Sequence, residues 1–241
     1  MDATALAERV RAGDIRAISR LITLLENGEP KGRATLRQLD GVPRRGQVIG
    51  ITGYPGAGKS TLIDQLTRVY RTQGKKVGIV AVDPSSPITG GAILGDRIRM
   101  LDHALDPGVF IRSMATRGQP GGLSRATREA VRVLDTAGYE VILVETVGVG
   151  QDEVDVAKVV RTVIAVVAPG LGDEVQAMKS GLLEVAHLVV VNKGDRENAD
   201  ATVRDLGDWV PRVLRTVAVK GEGIPELVKA IAEHQSQSAN G

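Results

Sequence analysis

At 241 residues, with 42% hydrophobic and 25% charged side chains, the chain has the composition of a globular protein able to bury a sizeable core. Its 31 basic and 29 acidic side chains leave a net charge of only +2, and no block of like charge suggests a nucleic-acid arm or a basic membrane helix. The absence of cysteine excludes disulfides, thiolate metal sites and a cysteine nucleophile, and one Phe, one Trp and three Tyr argue against a base-stacking surface.

The N-terminal stretch MDATALAERVRAGDIRAI has no signal-peptide core, and no apolar run approaches the roughly 20 residues of a membrane helix. A cytoplasmic protein without membrane contact is the expectation. Residues 2–26 carry two helical patterns broken at Gly13, with Asp14 placed to cap the second. Residues 27–46 hold Gly, Pro and Arg with few apolar anchors and read as a connector, so 1–46 is expected to be an N-terminal helical extension. Strands are expected at 47–52, 77–82, 109–113, 141–145, 162–167, 187–191 and 213–217. Helices are expected at 59–73, 123–137, 174–184, 198–209 and 224–234, with shorter pieces near 96–104 and 152–158. The alternation predicts an α/β fold over 47–235, a mostly parallel sheet with helices on both faces. Residues 236–241 read as a frayed tail.

The run Val48–Ile51 leads into Gly53-Tyr54-Pro55-Gly56-Ala57-Gly58-Lys59-Ser60-Thr61, which fits the phosphate-loop pattern GxxxxGK[ST]. Gly53, Gly56 and Gly58 let backbone amides curl around a polyphosphate. Lys59 can reach the β- and γ-phosphates, and Ser60 can ligate Mg²⁺. A helix starting near Lys59 aims its positive end at the same anion. The nine residues Gly53 to Thr61 are therefore the expected nucleotide-binding loop of a phosphate-loop NTPase.

Functional residues in such sheets gather at the carboxyl ends of the strands. Asp83 closes the second strand, and Asp96 and Arg97 follow in a Gly-rich segment; both acids are candidate Mg²⁺ ligands. A helix cap for Asp83 and a solvated loop charge for Asp96 are the alternatives. The strand EVILVE ends at Glu145, a second candidate metal-side acid, and the Gly148 amide can donate to a γ-phosphate. Gln151 is a candidate for orienting the attacking water, with a polar surface residue as the alternative reading. Arg97, Arg99, Arg112 and Arg117 lie in candidate switch stretches, none an evident arginine finger.

The strand HLVVV runs into Asn192-Lys193-Gly194-Asp195, an NKxD match. A carboxylate at Asp195 can accept from both N1–H and the 2-amino group of guanine, a pair adenine cannot supply. The Lys193 stem can cover the ring and Asn192 can brace the loop. Val217, Ala218 and Val219, followed by Lys220, sit where a short backbone loop can approach the guanine O6.

GYPGAGKST, VDPSSP, GGAILGDRIRM, FIRSMATRG, ETVGVGQDE, PGLGDEVQAMKSG and NKGD together resemble the MeaB/ArgK/methylmalonic-aciduria type A family of GTPases, from about residue 5 to 233. The resemblance implies a chaperone of adenosylcobalamin-dependent acyl-CoA mutases that uses GTP and Mg²⁺ to gate cofactor loading and protect the mutase. It gives Lys59 and Ser60 to phosphate and Mg²⁺, makes Asp83, Asp96 and Glu145 metal-side acids, and makes Asn192, Lys193 and Asp195 the guanine readers. Lys59, Glu145, Asp96 and Gln151 are the candidate catalytic residues. Gly172–Lys179 looks like the family's extra switch toward the mutase.

The chain departs from the family pattern at Gly194, where Ala is usual, and at Tyr54. It also stops at Gly241, where family members continue into dimer-forming helices, which leaves a homodimer through another surface, a monomer or a shortened relative as expectations. Two other functions fit parts of the pattern: an ATP-dependent small-molecule kinase, against which NKxD stands, and a metal-insertion GTPase. The latter is disfavoured by three His (His103, His187, His234) and no Cys.

Overall fold

A computed structural model describes residues 2–42, 45–83, 103, 105–115, 122–146, 157–170, 182–210 and 212–238. Three helices come first: α1 (Ala3–Arg11), α2 (Ile15–Glu26) and α3 (Pro30–Gln38). Asp2 caps α1 by accepting from the Ala5 amide at 2.8 Å, and Asp14 caps α2 by accepting from Arg16 and Ala17. Helix α3 falls in the stretch expected to be a connector. Pro30 suits its first turn, and Gly32 lies so close to α2 that a Cβ there would be 2.9 Å from the Leu24 carbonyl carbon. Tertiary packing, not an apolar stripe, makes this helix, which is why periodicity missed it.

The strands are β1 (Gln47–Thr52), β2 (Val77–Asp83), β3 (Val109–Ala115), β4 (Val141–Thr146), β5 (Thr162–Val167), β6 (Leu188–Val191) and β7 (Val213–Arg215). Among the described residues they form one parallel sheet of seven strands in the order β3-β2-β4-β1-β5-β6-β7. The helices between and after them are α4 (Lys59–Thr72), α5 (Gly122–Thr136), α6 (Leu182–Val185), α7 (Ala199–Gly207) and α8 (Ile224–Ser238), with a 3₁₀ turn at Ala218–Lys220. β7 ends at Arg215, two residues short of expectation, because Val217 turns back to bridge Glu222. Helix α8 runs on to Ser238, into the tail expected to fray. Of the helix expected at 174–184, only its last residues are described, within α6; the pieces near 96–104 and 152–158 lie almost wholly outside the described residues.

Alternation along each strand splits the interior into layers. Ile49, Ile51, Ile79, Leu143 and Ile164 pack with Leu62 and Leu66 of α4 and Leu227 of α8. On the other face Val80, Val82, Phe110 and Val144 pack with Leu6, Ile18 and Leu21 of the N-terminal helices and Leu134 of α5. Ala165, Val167 and Val191 meet α6 and α7. The N-terminal helices thus complete a sheet core instead of standing apart. Polar ties reinforce them: Arg112 of β3 pairs with Glu26 and donates to Thr23 Oγ1 at 3.0 Å, and Arg132 of α5 pairs with Asp40. Among the described residues no helix is long and apolar enough to cross a membrane.

Candidate functional site

β1 ends at Thr52 and the chain turns at once, with Gly53 at φ +136° and Gly58 at φ +95°. A Cβ on Gly53 would lie 2.0 Å from the Val166 carbonyl oxygen, and one on Gly58 2.3 Å from Asn192 Nδ2. Only glycine lets the loop close against β5 on one side and β6 on the other. Gly58 is the N-cap of α4 and supplies no side-chain cap, so the first-turn amides at Lys59, Ser60 and Thr61 receive no capping acceptor from it. A ring of amides at the positive end of a helix is an anion cradle. Lys59 is 8% exposed and folds back over the loop, its Nζ donating to the carbonyls of Gly53 at 2.7 Å and Tyr54 at 3.2 Å. Tyr54 packs against the α6–α7 core, while Pro55 and Gly56 are exposed and Ala57 is buried.

The acid comes from the neighbouring strand. Ile51 of β1 lies opposite Glu145 of β4, so the carboxylate reaches the first turn of α4, where Ser60 Oγ donates to Glu145 Oε1 at 2.8 Å. A hydroxyl and a buried carboxylate side by side are hard oxygen donors of the kind Mg²⁺ selects. Asp83 closes β2 on the same rim. Asp96, Gly148 and Gln151 lie outside the described residues, as do Arg97, Arg99, Arg117 and the stretch 172–179. Arg112 is removed from the arginine-finger candidates: its guanidinium faces α2 and is held by Glu26 and Thr23.

On the other side of the loop, β6 delivers Asn192, 3% exposed. Its Nδ2 donates to the Ala57 carbonyl at 2.9 Å, and its Oδ1 accepts from Thr216 Oγ1 at 3.1 Å and the Ala218 amide at 3.0 Å. One side chain therefore joins the phosphate loop, the NKGD turn and the turn after β7. Lys193 stands at φ +57° and its Nζ donates to the Gly56 carbonyl at 2.6 Å. Asp195 is exposed, with Lys220 Nζ 3.3 Å from its carboxylate. A hydrogen bond from its own backbone amide, then Lys220, holds its carboxyl below the usual range, so it stays an ionised acceptor. Val217 and Ala218 are buried against this loop, and Val219 is 76% exposed beside it.

Sequence reasoning missed two supports of this half. Thr216 bonds Asn192 from 24 positions away. Arg215 lies over Gly194, where a Cβ would be 2.6 Å from its Cγ, and pairs with Asp200 at 2.8 Å. That contact gives Gly194 a physical reason: alanine would push the Arg215 stem aside. Neither pairing leaves a periodic or motif signal. The histidines expected to be too few for metal delivery lie apart. His103 Nε2 sits 2.9 Å from Asp64 of α4, whereas His187 and His234 stack at the opposite end of the sheet.

Comparison with known proteins gives a consistent result. The family model described as "Methylmalonyl Co-A mutase-associated GTPase MeaB" matches residues 18–241. A protein of Pyrococcus abyssi named for GTPase activity is 53% identical over 244 residues, covering 95% of this chain and 75% of its own length. The GTPase ArgK of Escherichia coli is 40% identical over 246 residues, covering 95% of this chain and 74% of its own length. The crystal structure of a LAO/AO transport system kinase matches with a TM-score of 0.79 and 31% identity, over 99% of this chain and 77% of that one.

Proposed function

The chain belongs to the MeaB family of GTPases, and from that premise we propose that it is a Mg²⁺-dependent guanine-nucleotide switch that gates cofactor loading and protection of an adenosylcobalamin-dependent acyl-CoA mutase in the cytoplasm. The observation that carries the nucleotide half is Asn192, which ties the anion cradle to the NKGD turn through Ala57 on one side and Thr216 and Ala218 on the other. A phosphate site and a base site braced by one buried amide read both ends of the same ligand.

In this reading the amides of Gly53 to Thr61 hold the phosphates. Lys59, released from the Gly53 and Tyr54 carbonyls, neutralises charge developing at the γ-phosphate. Ser60, Glu145, Asp83 and Asp96 would hold Mg²⁺, which would supply positive charge to offset that of the phosphates. Gly148 senses the γ-phosphate and Gln151 orients the water. Asp195 reads the guanine N1–H and 2-amino group, with Lys193 along the ring and the Val217–Val219 backbone near O6. Because the Ala218 amide already donates to Asn192, the O6 contact falls to its neighbour. An ATP-dependent kinase is the weaker reading, since an ionised Asp195 faces an adenine edge that has no paired donors for it. Metal insertion is weaker still.

Two measurements test the proposal. Asp195→Asn is expected to weaken GDP binding and improve binding of xanthosine diphosphate, read by calorimetry; unchanged guanine affinity sinks the base assignment. Addition of an acyl-CoA mutase is expected to raise GTP turnover, and a purified complex that hydrolyses GTP no faster than the free protein counts against the partner.

A further inference from the structure

Three buried threonine hydroxyls under the carboxyl rim have no role in the site described so far. Thr52 and Thr146 are each 1% exposed and Thr127 is 0% exposed. Among the described residues none of their Oγ1 atoms has a hydrogen-bond partner. A buried hydroxyl left unmatched costs about 1–3 kcal/mol, so three in one region call for a physical cause.

They share a face and a level. Thr52 is the last residue of β1, just before Gly53, and Thr146 is the last of β4, just after Glu145. Ile51 and Glu145 lie opposite each other, so the residues that follow them are also neighbours across the two strands. Ile51 packs in the α4 core and Glu145 reaches Ser60 on α4. Alternation therefore turns Thr52 and Thr146 to the other face, the one α5 covers. Helix α5 runs antiparallel to the strands, from the carboxyl end of β3 to the start of β4. Its Leu134 meets β2 at Gly78, where a Cβ would be 2.9 Å from Leu134 Cδ1. Thr127 lies seven residues nearer the rim on the same stripe, a rise of about 10 Å at ~1.5 Å per residue. That equals roughly three strand residues, which brings Thr127 level with Ala81 and Val82, the register partners of Glu145 and Thr146.

We propose that Thr52, Thr127 and Thr146 form a water-binding site beneath the rim, and that water held there fixes Glu145 and the start of the phosphate loop for hydrolysis. A hydroxyl both donates and accepts, and a buried water needs about two to four polar partners. The side chains sharing this core, among them Val82, Met114 and Val144, are apolar and would not hold an ion. The site sits against the peptide units that carry the metal-side acid and the first glycine of the loop, on the face opposite Ser60. The threonines are positioning residues, not catalytic ones. This second half rests on the GTPase activity of the family; the first half does not.

The test is Thr→Val and Thr→Ser at each position in the full chain. Valine keeps the shape and removes the hydroxyl. If the site is hydrated, each Val variant melts lower than the parent. Thr52→Val and Thr146→Val lose several-fold to about tenfold in kcat for GTP, with KM and GDP affinity held, and the Ser variants recover both properties. A high-resolution crystal structure of the unmodified chain with GDP shows water bonded to at least two of the three hydroxyls. A dry site overturns the proposal: the Val variants then melt higher, because an unmatched hydroxyl has been removed, and no water density appears. Water present with kcat unchanged in every Val variant overturns the positioning role. Failure of the parent chain to hydrolyse GTP would fall on the activity and leave the crystallographic result to decide the water site.

Discussion

The two ends of the same sheet are put to opposite uses. At the carboxyl rim, Gly53 and Lys193 stand in left-handed conformations, Gly58 begins α4 with no side-chain cap, and Lys59 spends its charge on two carbonyls. At the amino-terminal pole the groups are paired. Thr162 Oγ1 meets His234 Nδ1 at 3.0 Å and Gln235 Nε2 at 3.2 Å, His187 Nδ1 accepts from the Val163 amide at 3.0 Å, and the Arg161 amide donates to Val48. The strands are apolar through their middles, and the polar residues Thr52, Asp83, Glu145 and Thr146 gather at their carboxyl ends, next to the connections that build the site. At the rim a non-glycine residue, Lys193, is held at φ +57° and α4 starts without a side-chain cap, whereas at the pole the left-handed turns before β2 and β4 fall on Gly74 and Gly138, which adopt them without strain.

This contrast can be broken by substitutions at either end or in the core between them. Lys59→Ala should have the largest effect, a fall in GTP turnover of about 10² to 10³ with little change in melting temperature, because a charge aimed at the transition state is lost from a fold that does not depend on it. Equal loss of turnover and stability would show that the rim carries the fold as well. Leu21→Ala, in the core shared by the N-terminal helices and the sheet, should cost about 2–5 kcal/mol in denaturant unfolding while nucleotide affinity per folded molecule is kept. Arg112→Ala should cost about 1–2 kcal/mol by leaving the part-buried Glu26 carboxylate and the Thr23 hydroxyl without their partner, with turnover unchanged. A large drop in turnover would return Arg112 to the list of catalytic arginines.

The smallest effect belongs to the pole. Burial, with His234 alongside, holds His187 below the usual imidazole range, and burial does the same to His234. Both are then neutral in the native state while the unfolded chain takes up protons below about pH 6.5. Stability is therefore full above that pH and declines as the pH falls toward the native values. Unfolding free energies measured from pH 7.5 to 5 should show this slope, and His187→Asn should flatten it. An unchanged slope in that variant would mean that the pole is not the titrating region.

Much of the site was legible because each part is local. Gly53 to Thr61 is one continuous loop, and Glu145 and Asn192 each follow an apolar strand directly, so strand ends and motifs coincide. The braces were not legible. Arg215 over Gly194, Thr216 on Asn192 and Lys220 on Asp195 join residues whose separation in the chain carries no period. Helix α3 was hidden for a related reason: Gly32 and the lack of an apolar stripe argue against a helix locally, and the close approach of Leu24 outweighs them.

By itself the sequence determined the alternation of strands and helices, the glycine-rich loop after β1 and the NKGD turn after β6, since these follow from side-chain period and backbone freedom over a few residues. Tertiary structure alone decided that the strands order as β3-β2-β4-β1-β5-β6-β7, which sets Glu145 beside Ser60 and Asn192 beside Ala57. It also decided that the first three helices seal a sheet face and that Arg112 serves α2. Which strands become neighbours depends on the burial of whole faces at once, and that sum is not contained in any one stretch of chain.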